Sequence, residues 1–217
     1  MSQRIAFFST KEEIEEFFQF DSGKESIFEP HYNLAPAQSI PVIYRKGKQK
    51  VINRVRWGLE DPKDQNEGNR HTVGKQEAAE GLKSGEFQRC VIPISGYFKW
   101  KTAGKRKEFP FFVRMLDEPV MAIAGVALSD GKNGDKPDKC AMIETDANAL
   151  IQPLDEKMPL QLNRDLSRQW LGDTDPEEVL MDAGELYLLT DLTVLRVSKK
   201  VNDLSQNSPD LIQPLPK

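Results

Sequence analysis

Apolar residues recur along this chain with two periods, and the two periods predict most of its elements. In KEEIEEFFQF (residues 11–20), Ile14, Phe17 and Phe18 fall at helical spacing among acids. That spacing predicts a short amphipathic helix with an acidic outer face. Thr10 ahead of it, with Glu13 three residues on, fits a capping box. Residues 21–30 are polar with Gly and Pro and read as a loop. QSIPVIYRKGKQKVINRVRWGL (38–59) reads as a hairpin: one β-rich run ends at Tyr44, Lys46-Gly47-Lys48 turns, and Val51 to Trp57 returns. Residues 60–74 are charged and contain glycine, which predicts a long exposed loop. Lys75 to Lys83 favours helix through Glu77, Ala78 and Ala79.

The second half is richer in strand signals. RCVIPISGYFKW (89–100) reads as a strand broken near Pro93, and KTAGKRKE (101–108) as a basic turn. FPFFVRM (109–115) alternates as a strand, and VMAIAGVAL (120–128) has the length and composition of a fully buried one. Lys139 to Thr145 forms another. Asp146 or Asn148 is placed to cap a short helix running through Ile151. LNRDLSRQWL (162–171) puts Leu162, Leu166, Trp170 and Leu171 on one helical face, and Pro176 sits near the first position of a further helix. Residues 186–197 return to strand, and the proline-rich end, NSPDLIQPLPK, reads as extended. Antiparallel strands with scattered helices predict an α+β fold: a mainly antiparallel, barrel-like β core with short peripheral helices. The expectation is a single domain over residues 1–217, with an extended tail from about residue 205.

Composition narrows the function. No run of 18 apolar residues occurs, and neither a membrane span nor a signal peptide is expected. The two cysteines, Cys90 and Cys140, lie far apart in apolar surroundings. They read as small core residues of a cytoplasmic protein rather than as a disulfide or zinc site. The net charge of −4 argues against coating nucleic acid by bulk charge, although Arg54, Arg56, Arg70, Lys75 and Arg89 concentrate in one third of the chain. His31 and His71 are the only histidines and are 40 residues apart, with no other ligand at metal spacing. No phosphate-cradling G-x-x-x-x-G-K occurs. Neither a metal nor a cofactor is expected.

Four segments stand out: YNLAP (32–36), RWGL (56–59), RCVIPISGYFKW (89–100) and LDEKMPLQL (154–162). Each alone has an ordinary explanation. In this order, together with MIETDANALIQPL (142–154) and VNDLSQNSPDLIQPL (201–215), they resemble the SOS response-associated peptidase (SRAP) family, from residue 2 to about residue 214. The resemblance implies binding of single-stranded DNA and of abasic sites. The family opens Met-Cys-Gly-Arg. Once Met is removed, the cysteine amine forms an imine with the abasic aldehyde, and its thiolate closes a stable thiazolidine. An asparagine, a glutamate in a GFYEW-type segment and a histidine in an HDRMP-type segment assist.

This chain departs at three of those positions: Ser2 replaces the cysteine, Lys99 the glutamate and Asp155 the histidine. Asn69 matches the asparagine, and either Arg70 or His71 the nearby arginine. His71 is also a candidate for the missing imidazole. A free cysteine titrates near ~8.5 and is partly ionised at neutral pH, whereas a serine hydroxyl is a far weaker nucleophile. Permanent crosslinking is therefore expected to be weakened or lost. The resemblance implies a groove of Arg4, Asn33, Pro36, Trp57, Arg70 and Thr145, with Lys157 adding charge. Trp57 offers a base-stacking face or is a core residue; Lys99 is a solvated lysine or an imine-forming amine. Arg54, Arg56 and Arg89 are additional candidates. The expected partner is single-stranded or abasic DNA, bound by a cytoplasmic, nucleoid-associated monomer. Two alternatives stand beside this reading. One is an N-terminal-amine enzyme, peptidase or lyase, working through Ser2; the other is a non-enzymatic partner-binding protein.

Overall fold

The structure is a computed structural model and describes residues 4–23, 25–59, 70–103, 106–129, 136–185 and 191–216. Its elements run β1 (Arg4–Phe7), α1 (Lys11–Phe18), β2 (His31–Leu34), β3 (Ser39–Lys46), β4 (Gln49–Trp57), β5 (Thr72–Gly74), α2 (Lys75–Ser84), β6 (Gln88–Ile94), β7 (Gly96–Ala103), β8 (Arg106–Met115), β9 (Met121–Leu128), β10 (Lys139–Asp146), β11 (Lys157–Pro159), β12 (Gln161–Leu162), α3 (Arg164–Trp170), α4 (Pro176–Glu185) and β13 (Leu192–Arg196). This is the expected α+β class.

The strands form two sheets. One has the order β13-β8-β7-β1-β2. In the other, β10-β4-β3-β6-β9 returns to β10 through the β9–β10 pairing and closes a ring, with β11, β5 and β12 attached. Closure explains why VMAIAGVAL carries no polar position. One side of β9 faces the ring interior and the other is covered, so Met121 to Ala127 are buried without alternation.

Local chemistry sets the helix ends. Thr10 and Glu13 form the capping box: Thr10 Oγ1 accepts from the Glu13 N–H, and the Thr10 N–H donates to Glu13 Oε2. Asn163 caps α3 by accepting the Leu166 N–H at 2.8 Å. On its inner side, α3 sends the Trp170 indole N–H to the Cys90 carbonyl at 2.8 Å.

The passage from β6 to β7 carries the chain from one sheet to the other. The predicted break at Pro93 does not occur there. Pro93 sits within β6 opposite Ala122, and β3 pairs with β6 only at Val91 and Cys90. The missing proline N–H therefore falls on a side with no strand to bond. The bend comes at Ser95, whose hydroxyl accepts the Phe8 N–H and bonds the Ser9 hydroxyl. Gly96 follows because a Cβ there would lie 2.3 Å from the Phe112 ring and 2.6 Å from the Val113 carbonyl.

Other expectations are corrected in detail. Thr72–Gly74, read as loop, pairs in parallel with Met142–Glu144. No helix follows Asp146. The Asn148 carboxamide accepts the Leu150 and Ile151 N–H groups and fixes a turn. The basic turn expected over 101–108 is shorter, because β7 runs to Ala103 and β8 begins at Arg106. Of the strand expected over 186–197, β13 covers Leu192–Arg196, and residues 186–190 lie outside the described residues. The end of the chain forms 3₁₀ turns at Lys199–Asn202 and Pro209–Ile212 and packs Val201 and Leu211 on the five-stranded sheet.

Candidate functional site

Pairing fixes which face of the five-stranded sheet each side chain takes. Ala6, Phe98, Trp100 and Phe112 lie on one face, beneath Val197, Val201 and Leu211. Ile5, Phe7, Tyr97 and Val113 lie on the other and join the barrel core. Alternation along β7 therefore points Lys99 toward the barrel, between Tyr97 and Lys101.

Lys99 is not a solvated lysine: the residue is 2% exposed. Its ammonium donates to Asp155 Oδ2 at 3.0 Å and to the Lys157 carbonyl at 2.7 Å. Asp155 uses its other oxygen to accept the Lys157 N–H at 3.2 Å. The two positions where the resemblance sets a glutamate and a histidine thus carry a lysine and an aspartate that pair with each other. The signal was legible in principle. A lysine sits in an otherwise apolar strand, and a carboxylate appears at the second changed position.

β11 presents the rest of this end. Lys157 faces Asp146 across the β10–β11 pair, and its ammonium lies 2.7 Å from Asp146 Oδ1. The hydrogen bond and charge of Lys157 hold the Asp146 carboxyl below its ordinary value, and Asp146 raises Lys157 in return. Thr145, half-buried, pairs with Met158 in the same ladder. On the opposite edge of β10, Arg70 enters through a bridge with Leu59 and pairs with Glu77 at 2.8 Å. Arg70 Nε, beside the start of β10, and Glu144 Oε2 and Asn148 Nδ2, near its end, are buried with no hydrogen-bond partner among the described residues. Buried polar atoms in that state are uncommon. Lys99, Thr145, Asp155 and Lys157 are thereby brought together, and Arg70 flanks the same strand.

Other expected groove residues are placed elsewhere. Arg4 pairs with Phe98 and so lies on the opposite face of the sheet from Lys99. Its guanidinium donates to Asn33 Oδ1 at 3.0 Å and to the Val201 carbonyl at 3.1 Å, and burial lowers its pKa. Asn33 is fully buried and donates to the carbonyls of Val201, Asp203 and Gln206. Both hold the end of the chain. Trp57 is 0% exposed, its indole N–H donates to the His71 carbonyl, and the His71 ring meets it edge-on, so it presents no face to a base. Pro36, half-buried, leads a turn in which Ala37 N–H bonds the Trp57 carbonyl. Arg54 donates to the Ser39 and Ile27 carbonyls, and Arg89 to those of Gly172 and Thr174. Arg56 is exposed opposite Lys139. Ser2 and Asn69 lie outside the described residues. Cys90 and Cys140 are fully buried, and burial raises both thiols. Among the described residues no three His, Cys, Asp or Glu side chains converge as a metal site, and no helix is long and apolar enough to cross a membrane.

A closed ring of strands and an open five-stranded sheet, tied together by the Lys99–Asp155 pair, define the class of protein to which this chain conforms. It belongs to the SOS response associated peptidase (SRAP) family, whose model matches residues 1–204. It is 29% identical to the abasic site processing protein YoqW of Bacillus subtilis, over 98% of this chain and 99% of that one. Identity to the abasic site processing protein YMR114C of Saccharomyces cerevisiae is 27%, over 88% of this chain and 54% of that protein. It is 20% identical to the abasic site processing protein YedK of Escherichia coli over 99% of this chain. Among solved structures, a Bacteroides thetaiotaomicron protein superposes with a TM-score of 0.74 at 19% identity, over 98% of this chain and 99% of that one. A phage-related protein of Bordetella bronchiseptica superposes with a TM-score of 0.68 at 22% identity, over 90% of this chain and 94% of that one. These two share the fold.

Proposed function

We propose that this protein binds abasic sites in single-stranded DNA in the cleft beside Lys99 and does not seal a permanent crosslink to them. Relatives named for abasic site processing support the substrate class. The observation that carries the second half is the Lys99–Asp155 pair, with side chains 3% and 21% exposed. Each occupies a position where the resemblance sets an acid–base group, and each is engaged by the other. The ammonium has its donors directed at a carboxylate and a carbonyl, which is the geometry of a charged, fixed group rather than of a nucleophilic amine.

Connectivity supports the same reading. β1 enters beside β7 with Arg4 opposite Phe98, the residue before Lys99. Ser2 lies two residues ahead of Arg4, at most about 7 Å of chain away. By the resemblance it is the remnant of the nucleophile position. Its hydroxyl lacks the partial ionisation that lets a thiolate close a ring at neutral pH. Lys157, Thr145 and Arg70 are the side chains of the expected groove left to meet phosphate and sugar. On this reading the protein acts as a monomer in the cytoplasm, at the nucleoid.

The test is incubation with abasic single-stranded DNA, with and without borohydride, followed by native and denaturing gels. The expected result is a native complex and, without reductant, no adduct that survives heat and detergent. A denaturation-resistant adduct formed without reductant overturns the loss of crosslinking. The absence of any native complex overturns the binding itself.

A further inference from the structure

Lys99 marks where the five-stranded sheet emerges from beneath the barrel. Inward of it on the same face, Tyr97 and Val113 are buried in the barrel core. Outward, Phe109 and Phe111 are half-buried and Lys101 and Arg196 are exposed. Phe111 pairs with Lys99 on one side and with Arg196 on the other, and Phe109 pairs with Lys101. Directly paired residues project to the same side of a sheet, so Lys99, Lys101, Phe109, Phe111 and Arg196 share one face. The opposite face is covered by the end of the chain.

Two features give this face a chemical character. Lys101, Arg196 and Lys199 are exposed, and no carboxylate pairs with any of them among the described residues. Phe109 and Phe111 lie half-buried between them. The Arg196 guanidinium stands 4.4 Å, and the Lys199 ammonium 5.4 Å, from the centre of the Phe109 ring. The chain as a whole carries a net charge of −4, so cations gathered around aromatic rings are a local departure from its overall balance. Cations along a track with flat rings between them are the means by which proteins hold single strands without reading sequence.

We propose that Lys101, Phe109, Phe111, Arg196 and Lys199 form a platform for single-stranded DNA flanking the lesion, the cations meeting phosphates and the Phe111 ring taking a base. This rests on the DNA-binding reading above and deepens it. The strand leaves the Lys99 cleft along β7 and β8 and crosses to β13, rather than running over the buried Trp57. The platform is indifferent to the abasic site, so it holds undamaged strand equally well.

The experiment measures anisotropy of a fluorescent oligo-thymidine, undamaged and abasic, against salt concentration with the full-length protein. R196E/K199E is expected to weaken both oligonucleotides about tenfold or more at low salt. It is also expected to reduce the slope of log affinity against log salt by about 1.4, at about 0.7 per phosphate contact. F111L keeps an apolar side chain but removes the ring, and is expected to lower affinity about 5- to 100-fold, the range of a stacked base. The matched charge reversal K46E/K48E lies at the β3–β4 turn. β10 runs parallel to β4 and continues past Trp57, so this turn sits at the other end of the barrel from the cleft. It is expected to change affinity less than threefold. If wild type binds oligo-thymidine and the platform variants match it or K46E/K48E in affinity and slope, the platform is wrong while the binding reading stands. If wild type binds neither oligonucleotide, the underlying reading fails and takes the platform with it. Should F111L not fold, the charge-reversed pair on exposed side chains decides.

Discussion

At the residue scale, the Lys99–Asp155 pair does two jobs. It occupies the positions expected to hold catalytic groups, and it ties β7 of the open sheet to the segment leading into β11 of the barrel. Removing one partner of a buried pair leaves an uncompensated charge, which typically costs about 3–5 kcal/mol, whereas replacing both with apolar groups costs far less. D155A is therefore expected to destabilise the protein by about 3 kcal/mol, because it removes the carboxylate that accepts from the buried Lys99 ammonium. K99M/D155L should recover much of that loss. Urea denaturation of wild type, D155A and the double variant checks this. A double variant less stable than D155A would show that the pair is not coupled. The sequence exposes each substitution but not their pairing, since 56 residues separate them and only the meeting of the two sheets puts the ammonium 3.0 Å from the carboxylate.

At the element scale, β2 is short, yet it anchors much of the end of the chain. Asn33 gives its amide hydrogens to three carbonyls of residues 201–206 and receives the Arg4 guanidinium on its oxygen. N33A takes the amide from the Asp203 and Gln206 carbonyls, while Arg4 and the Val201 carbonyl keep each other, at about 1–3 kcal/mol for an unsatisfied group. The expected outcome is a loss of about 2–3 kcal/mol, with cleavage within residues 198–216 accelerated under limited proteolysis. Unchanged melting and unchanged cleavage would count against the anchoring role. YNLAP is conspicuous in the sequence, but its asparagine serves the fold rather than a ligand. No local pattern announces this, because its partners lie about 170 residues away. Helices fared better. The Thr10–Glu13 capping box and the Pro176 start are local chemistry, and both appear where the sequence puts them.

At the scale of the whole molecule, titration has one sign on the acid side. Hydrogen bonds from Ser22 hold Glu15 below its ordinary value, the Lys157 hydrogen bond does so for Asp146, and the Ser205 backbone and hydroxyl do so for Asp203. Each stabilises the fold above its unfolded pKa, and that contribution is lost as pH falls through the lowered folded value. His31 is lowered from 6.5, first by burial and then by Arg54, and its Nδ1 accepts the Asn33 N–H. The unfolded chain therefore takes up that proton before the folded one does, and stability falls as pH drops below about 6.5. On the alkaline side, Lys157 is raised by Asp146, so its contribution holds below 10.5 and is lost as pH rises through the folded value. The urea midpoint is expected to fall as pH drops below about 6.5, and H31Q is expected to flatten the part just below 6.5. A midpoint that rises on acidification would contradict these environments.

The sequence by itself determined the period of most strands and helices, the Thr10–Glu13 capping box, the α+β class and the three departures at Ser2, Lys99 and Asp155, because these depend on neighbours a few residues apart. Only the tertiary structure decided that Lys99 and Asp155 neutralise each other, that Arg4 and Asn33 face the end of the chain, and that Trp57 is sealed in the core. Those outcomes follow from which face of a sheet a residue takes and from what the second sheet and the closing segment lay over it. Both are set by pairings between segments distant in the chain, and a strand's own alternation fixes two faces without saying which of them is covered.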